Sequence, residues 1–367
     1  MKILQIVPRL PPAIDGLGDY ALNLARQLRQ DFGVETHFLV GNPDWTGTTE
    51  TEGFPVIQLK QRSAQTFLSQ LPRKVATILL HYVGYGYAKR GCPLWLVDGL
   101  RRWQSEHLQP RLVTMFHEIY ASGKFWTSAF WLSPLQRNLA ARLAHLSDAC
   151  LTSCQANAAR LSQLGSSQSQ PVSVLPVFSN VGEPETLPSL AARPRHLVVF
   201  GTFGRRLKIY QNALETLGQI CHELAITKII DIGRPTTLNI SEVNGIPLIE
   251  MGERAASEIS SLLLNSVAGL IDYPATLLSK SGIFATYCAY GLLPIVIGTA
   301  EPPPHVDGLE PRKHYWLPEY QSEPLDLSRG QAITNCAHAW YQTHNLAVHA
   351  QVFAKNLTTE TPSLSLE

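Results

Sequence analysis

Short apolar runs, each stopped by turn residues, alternate with helix-period segments along most of this chain, and the alternation occurs twice. Residues 2–7 make the first run, ended by Pro8, and a helical face follows at Leu22, Leu24, Ala25 and Leu28 within residues 20–29. Further strands are expected at 34–40, 56–59, 76–82, 111–116, 149–153 and 172–176, with helices at 95–106 and 133–146. Strands separated by helices pair in parallel, because each crossover lays a helix on a sheet face. The polar run at 165–170 and the stretch 179–195, broken by Pro184, Pro188 and Pro194, read as loop and linker. The pattern then restarts. Strands are expected at 196–200, 228–232, 246–251, 268–272 and 294–297, and helices at 210–224, 255–265, 281–290 and 329–357. This predicts an α/β chain of two Rossmann-like, doubly wound parallel-sheet domains facing a central cleft, with ligands outside the carboxyl ends of the strands. The expected division is a first domain at 1–180, a linker at 181–195, a second domain at 196–339, a helix at 340–357 packing back on the first domain, and a tail at 358–367.

Composition narrows the class. With 367 residues, 45 % apolar and 16 % charged, the chain can bury a large core in two domains, which excludes disorder for most of it. The net charge of +1 gives no global attraction to nucleic acid, and none is expected as a partner. Six cysteines without a Cys-x-x-Cys pair argue against a disulfide scaffold, a zinc site or a redox motif. No signal-peptide core follows Lys2 and no 18 residues run apolar, so a cytoplasmic protein is expected, soluble or peripheral at a membrane. Residues 1–180 hold 17 Lys and Arg against 11 Asp and Glu, whereas residues 181–367 hold 13 against 18. The basic first half suits an anionic lipid surface or a phosphorylated acceptor, or is surface scatter.

Several stretches carry chemistry. Gly16 and Gly18, with Asp19 and Tyr20, lie between the first strand and first helix, where backbone N–H groups can meet an anion or a sugar hydroxyl; the third glycine of the dinucleotide fingerprint is absent. His117 closes a strand, and His81 closes the one before it, ahead of a Gly- and Tyr-rich loop at 84–87. Tyr120, Phe125, Trp126, Phe130 and Trp131, with Lys124 among them, form an acceptor groove, an interfacial membrane patch or core packing. Beyond the strand at 196–200, Gly201 and Gly204 precede Arg205, Arg206 and Lys208, cations suited to a pyrophosphate leaving group. Gly233 and Arg234 end the next strand, and Lys280, Ser281 and Gly282 open a later helix where phosphate can bind. No Asp-x-Asp triplet or metal-spaced cluster is visible, so no metal is expected.

The order Pro11-Pro-x-x-Asp-Gly16-x-Gly18-Asp-Tyr20, strand-end His117, Gly201 to Lys208, and Pro274 through Gly291-Leu-Leu-Pro294 resembles the retaining nucleotide-sugar glycosyltransferases of the GT-B fold, family four above all. The resemblance implies a nucleoside-diphosphate sugar as donor with no separate cofactor, a carbohydrate, lipid-linked or small-molecule acceptor, and front-face transfer with retention and without metal. It implies that Gly16 and Gly18 approach donor phosphates or acceptor, that His117 contacts the transferred sugar, and that Arg205, Arg206 and Lys208 stabilise the departing diphosphate. Ser281 and Gly282 would bind phosphate. Two family carboxylates are replaced: aligning Pro274 and Ala289-Tyr290-Gly291 places them at Leu278 and Thr286. The family's arginine falls on Thr202. That departure opens a second reading, a non-catalytic GT-B relative that binds a glycan or partner. A nicotinamide-dependent oxidoreductase also fits the two alternating halves but lacks the full glycine fingerprint.

Overall fold

A computed structural model describes the chain except for residues 73–74, 122, 124, 166–170, 299–304, 321–324 and 359–367, so most of the expected polar loop, Lys124 and nearly all of the expected tail lie outside the described residues. The chain divides into two compact units, Met1–Pro176 with Leu346–Glu367, and Val177–Asn345.

In the first unit β1 (Lys2–Val7), β2 (Glu35–Val40), β3 (Glu50–Thr51), β4 (Phe54–Gln58), β5 (Thr77–Tyr82), β6 (Arg111–Phe116), β7 (Ala149–Thr152) and β8 (Ser173–Val174) form one sheet in the order β3-β4-β2-β1-β5-β6-β7-β8. Every pairing is parallel except β3 with β4; Leu4, for example, lies opposite His37 on one side and Ile78 on the other. Its helices are α1 (Gly16–Phe32), α2 (Ala64–Gln70), α3 (Gly84–Tyr87), α4 (Leu94–Glu106), α5 (Ser128–Leu146) and α6 (Gln155–Gln163). Both sheet faces are covered, one by Leu100, Trp103 and Leu143, the other by Ala21, Leu22 and Ala25. That explains why β1 and β5 read as continuous apolar runs rather than alternating ones.

The glycine segment expected as a loop is the first turn of α1. Asp15 caps it, its carboxylate accepting the Leu17 N–H at 3.1 Å, and Gly33 closes it in the left-handed conformation, φ 61°. Helix α5 begins at Ser128, capped by Thr127, rather than at 133. Its first turn is largely exposed and so carries no amphipathic signal.

In the second unit β9 (His196–Phe200), β10 (Lys228–Ile232), β11 (Glu242–Val243), β12 (Ile246–Glu250), β13 (Ala268–Asp272) and β14 (Leu293–Ile297) take the order β11-β12-β10-β9-β13-β14, parallel except β11 with β12. The helix expected at 210–224 is two helices, α7 (Phe203–Asn212) and α8 (Leu214–Glu223), meeting at Ala213. Helices α9 (Ala256–Leu264), α10 (Gly282–Ala289) and α11 (Leu327–Gln342) follow, with a 3₁₀ turn at Ala275–Lys280 between β13 and α10. Residues 181–195, expected as a linker, pack within this unit. Leu190 is buried, and the buried Arg193 guanidinium donates to the carbonyls of Pro188, Ser266 and Tyr290. The helix expected at 329–357 is interrupted after Gln342, and its second part, α12 (Leu346–Leu357), belongs to the first unit, where it packs on α1.

Candidate active site

Each sheet has one place where the chain reverses its direction of winding: β1 beside β5, and β9 beside β13. Loops diverge there and leave a crevice at the strand carboxyl ends. Gly16, Gly18, His81 and His117 follow or end strands next to the first, and Gly201, Arg205 and Arg206 follow β9 at the second, while Gly233 and Arg234 follow β10.

At the β9–β13 point, Gly201 ends its strand at φ 144°, and a Cβ there would lie 2.6 Å from Ile283 Cδ1. Only glycine fits. Thr202 precedes α7 without making a side-chain cap. By contrast the hydroxyl of the buried Ser281 caps α10, accepting the Phe284 N–H at 3.2 Å, as Asp15 caps α1. At the starts of α1 and α10 a side chain of the chain itself thus meets one of the four free N–H groups, and Ser281 acts as a cap there.

Arg205 lies on the first turns of α7. Its guanidinium donates to the Asp272 carbonyl at 3.3 Å, lies 3.9 Å from the Asp272 carboxylate and sits 4.8 Å above the Tyr273 ring, with the side chain 38 % exposed. These groups and Phe200, Thr202 and Ile283 line a cavity of about 130 Å³. Arg206 borders the same cavity, but its guanidinium is paired within the protein. It is fully buried, its Nε donates to Gly201 O at 3.0 Å, and its other nitrogens donate to the Asp231 carboxylate and the Arg234 carbonyl. Tyr210 donates its hydroxyl to the same carboxylate. Arg206 is therefore corrected from phosphate ligand to a strut joining the loops after β9 and β10. Gly233 makes that junction possible, because a Cβ there would lie 2.7 Å from Gly201 O. Lys208 and Arg234 are exposed, and Lys280 and Gly282 are half-buried near the start of α10. Leu278 and Thr286, which stand where the resembled family has carboxylates, are both buried, and Thr286 donates to Gly282 O at 2.7 Å.

At the β1–β5 point, Gly18 is a packing residue, since a Cβ would come 2.6 Å from Arg9 O, while Gly16 is exposed at the start of α1. Asp19 is half-buried, and burial, aided by the Asp15 charge, raises its pKa to about 6. His117 is half-buried, its Nε2 3.2 Å from Nδ1 of the fully buried His81. His81 Nε2 donates to Gln5 Oε1 at 3.0 Å, so its Nδ1 accepts from His117 Nε2. Burial holds His81 neutral, with a pKa well below the usual histidine range. Tyr20 stands edge-on to His81, His117 and His349, and donates its hydroxyl to His349 Nδ1 at 2.9 Å. The direction follows because His349 Nε2 donates to Pro176 O at 2.8 Å.

The structure thus adds Gln5, His349, Asp231, Asp272 and Tyr273 to the two sites. His81 and Asp272 carried a signal, the polar end of an apolar run. His349 had none, since α12 joins the site across more than 300 residues of sequence from α1. Among the described residues no group of three His, Cys, Asp or Glu is arranged to hold a metal ion.

No family description and no curated protein matches the chain. Solved structures do. An alpha-glucosyltransferase in complex with UDP is 9 % identical over 97 % of this chain and 99 % of that one, with a TM-score of 0.59; the same enzyme is also known with UDP-glucose and DNA containing an abasic site. WaaG, a glycosyltransferase involved in lipopolysaccharide biosynthesis, is 14 % identical over 97 % and 100 %, TM-score 0.54. The alpha,alpha-trehalose 6-phosphate synthase of Burkholderia multivorans is 11 % identical over 97 % and 98 %, TM-score 0.56. At such identities the likeness shows the fold, which is GT-B, as the sequence resemblance implied.

Proposed function

We propose that the chain is a glycosyltransferase that takes a sugar from a nucleoside-diphosphate donor and passes it to a carbohydrate, lipid-linked or small-molecule acceptor, with retention and without metal. The observation that carries this reading is the α7 start: a helix end without a side-chain cap, beside a half-exposed arginine that Asp272 and Tyr273 hold in place. Breaking the sugar–phosphate bond leaves negative charge on the diphosphate. Arg205, Lys208 and the α7 N–H groups would neutralise it, and a well-placed donor of this kind is worth ~3 kcal/mol in the transition state. The acceptor hydroxyl attacks the anomeric carbon on the face that the phosphate leaves, and its proton passes to the departing phosphate oxygen. His117 contacts the transferred sugar. UDP is the first nucleotide to test, because the glucosyltransferase of like fold binds it. The location proposed is the cytoplasm. Nucleic acid is not the proposed acceptor despite the DNA complex of that enzyme, since the net charge of +1 gives no duplex-scale attraction.

Calorimetric titration with UDP tests the donor site. Binding is expected to weaken by about tenfold or more in Arg205→Ala, with a smaller loss in Lys208→Ala. Unchanged affinity in both variants would refute the assignment. The anomeric configuration of product by NMR checks retention, and activity in excess EDTA checks independence from metal.

A second reading, a non-catalytic binding protein, is favoured by one observation. Leu278 and Thr286, both buried, stand where the resembled family has carboxylates, so neither position supplies an acid. Turnover of any nucleotide sugar, slow hydrolysis included, would eliminate it.

A further inference from the structure

Four aromatic side chains project from the first unit around the start of α5. Phe125 is 66 % exposed, Trp126 64 %, Phe130 45 % and Trp131 71 %, and Leu135 adds 38 % one turn on. Large apolar groups exposed side by side mark a surface that is covered in use. The next residue, the buried Gln136, ties this end of α5 to its neighbours. It donates to the Tyr85 hydroxyl at 3.3 Å and the Arg90 carbonyl at 2.9 Å, and accepts the Ala121 N–H at 2.8 Å. Tyr85 is 45 % exposed and joins the aromatic rim. Ala121 follows His117 by four residues, in the segment that leads from the end of β6 to α5.

Charge selects the occupant. Lys89, Arg90 and Arg137 are exposed around the rim. Arg142, further along α5, is paired with Asp98, and Arg111 is tied to the Asn356 carbonyl, so the cations of the rim are Lys89, Arg90 and Arg137. A second copy of the same face would bring these cations together, which disfavours self-association. Indole and phenyl rings settle at the headgroup level of a bilayer, and neighbouring cations are drawn to anionic headgroups.

We propose that this rim seats the first unit on an anionic lipid bilayer, so that a lipid-linked acceptor is met at the membrane surface by the unit that holds His117. The acceptor part rests on the transferase reading above; the docking part does not, because it is measured without any sugar transfer. The experiment floats the full chain with vesicles of phosphatidylcholine, alone or with added phosphatidylglycerol. Flotation is expected with the anionic vesicles, weakened by salt. It is expected to fall by about tenfold or more in Trp126→Ala/Trp131→Ala and in Arg90→Glu/Arg137→Glu. All four positions are exposed, so thermal melts of the variants should match the parent. Absence of flotation with anionic vesicles, or undiminished flotation of the tryptophan variant, would overturn the proposal. So would a dimer in sedimentation that the tryptophan variant converts to monomer.

Discussion

A carboxylate in the first turn of a helix is ordinarily favoured by the N–H groups that face it, yet the pKa of Asp19 is raised to about 6 because burial beside Asp15 outweighs that attraction. A folded-state value above the unfolded one means that the native state holds the extra proton. The associated stability is fully present below about pH 4 and is lost as pH rises through about 6. Asp19→Asn is therefore expected to stabilise the protein at pH 7.5 by about 1 kcal/mol, discounted for the half-exposed setting, and to flatten the change between pH 4 and 7. Urea unfolding at both pH values checks this; a variant no more stable at pH 7.5 would show that the group is unstrained. Arg205 and Arg206 make the complementary point. Adjacent helical residues point about 100° apart, and although both border the same cavity, the Arg205 side chain is 38 % exposed while that of Arg206 is buried against Asp231. Breaking the buried pair of Arg206 with Asp231 by removing one partner is a stability defect of about 3–5 kcal/mol, which makes Arg206 variants uninformative about ligand binding.

At the scale of elements, the three longer helices that start at the switch points, α1, α7 and α10, differ in one feature, and the single-turn α3 after β5 also starts without a side-chain cap. Asp15 caps α1 and Ser281 caps α10, while α7 starts without a side-chain cap. Such differences decide which helix end is open to a ligand. The same scale shows how α12 completes the first unit. His349, Phe353 and Leu357 are buried, and Arg111 Nε donates to Asn356 O at 2.6 Å. Removing residues 346–367 deletes these α12 groups and exposes the α1 face they cover. At about 1.5–3 kcal/mol for each large apolar side chain, the truncated chain is expected to lose at least about 10 °C in melting temperature. Circular dichroism melts of the truncated and full chains provide the measurement, and equal melting temperatures would show that α12 adds nothing to that unit.

The whole molecule has two units, each with its own covered sheet, and so two cores that can melt separately. Heat unfolding is expected to depart from a two-state transition, the calorimetric enthalpy exceeding the van't Hoff value. If UDP binds the second unit, at about a hundredfold excess over Kd it should add ~2.7 kcal/mol to that unit and move its transition by several degrees while leaving the other in place. Scanning calorimetry with and without UDP distinguishes this from a single transition that shifts as one, the outcome that would contradict it.

The order of strands and helices was legible because each buried parallel strand must be apolar on both faces, and Pro8, Gly201 and Gly233 mark where such runs end. His117 and Arg205 were legible for the same reason, as polar residues at or just beyond strand ends. Helix α7 was missed because its first turn, Phe203 to Arg206, is cationic and glycine-containing and lacks a simple apolar stripe. Periodicity within a dozen residues sets local structure and the winding of the sheets, and to that extent the amino-acid order determined this protein unaided. Which of two neighbouring arginines lies inside, which helix start is already capped, and that His349 meets Tyr20 were decided only by the tertiary structure. Side-chain direction and pairing across distant segments depend on what packs opposite, and no local pattern encodes that.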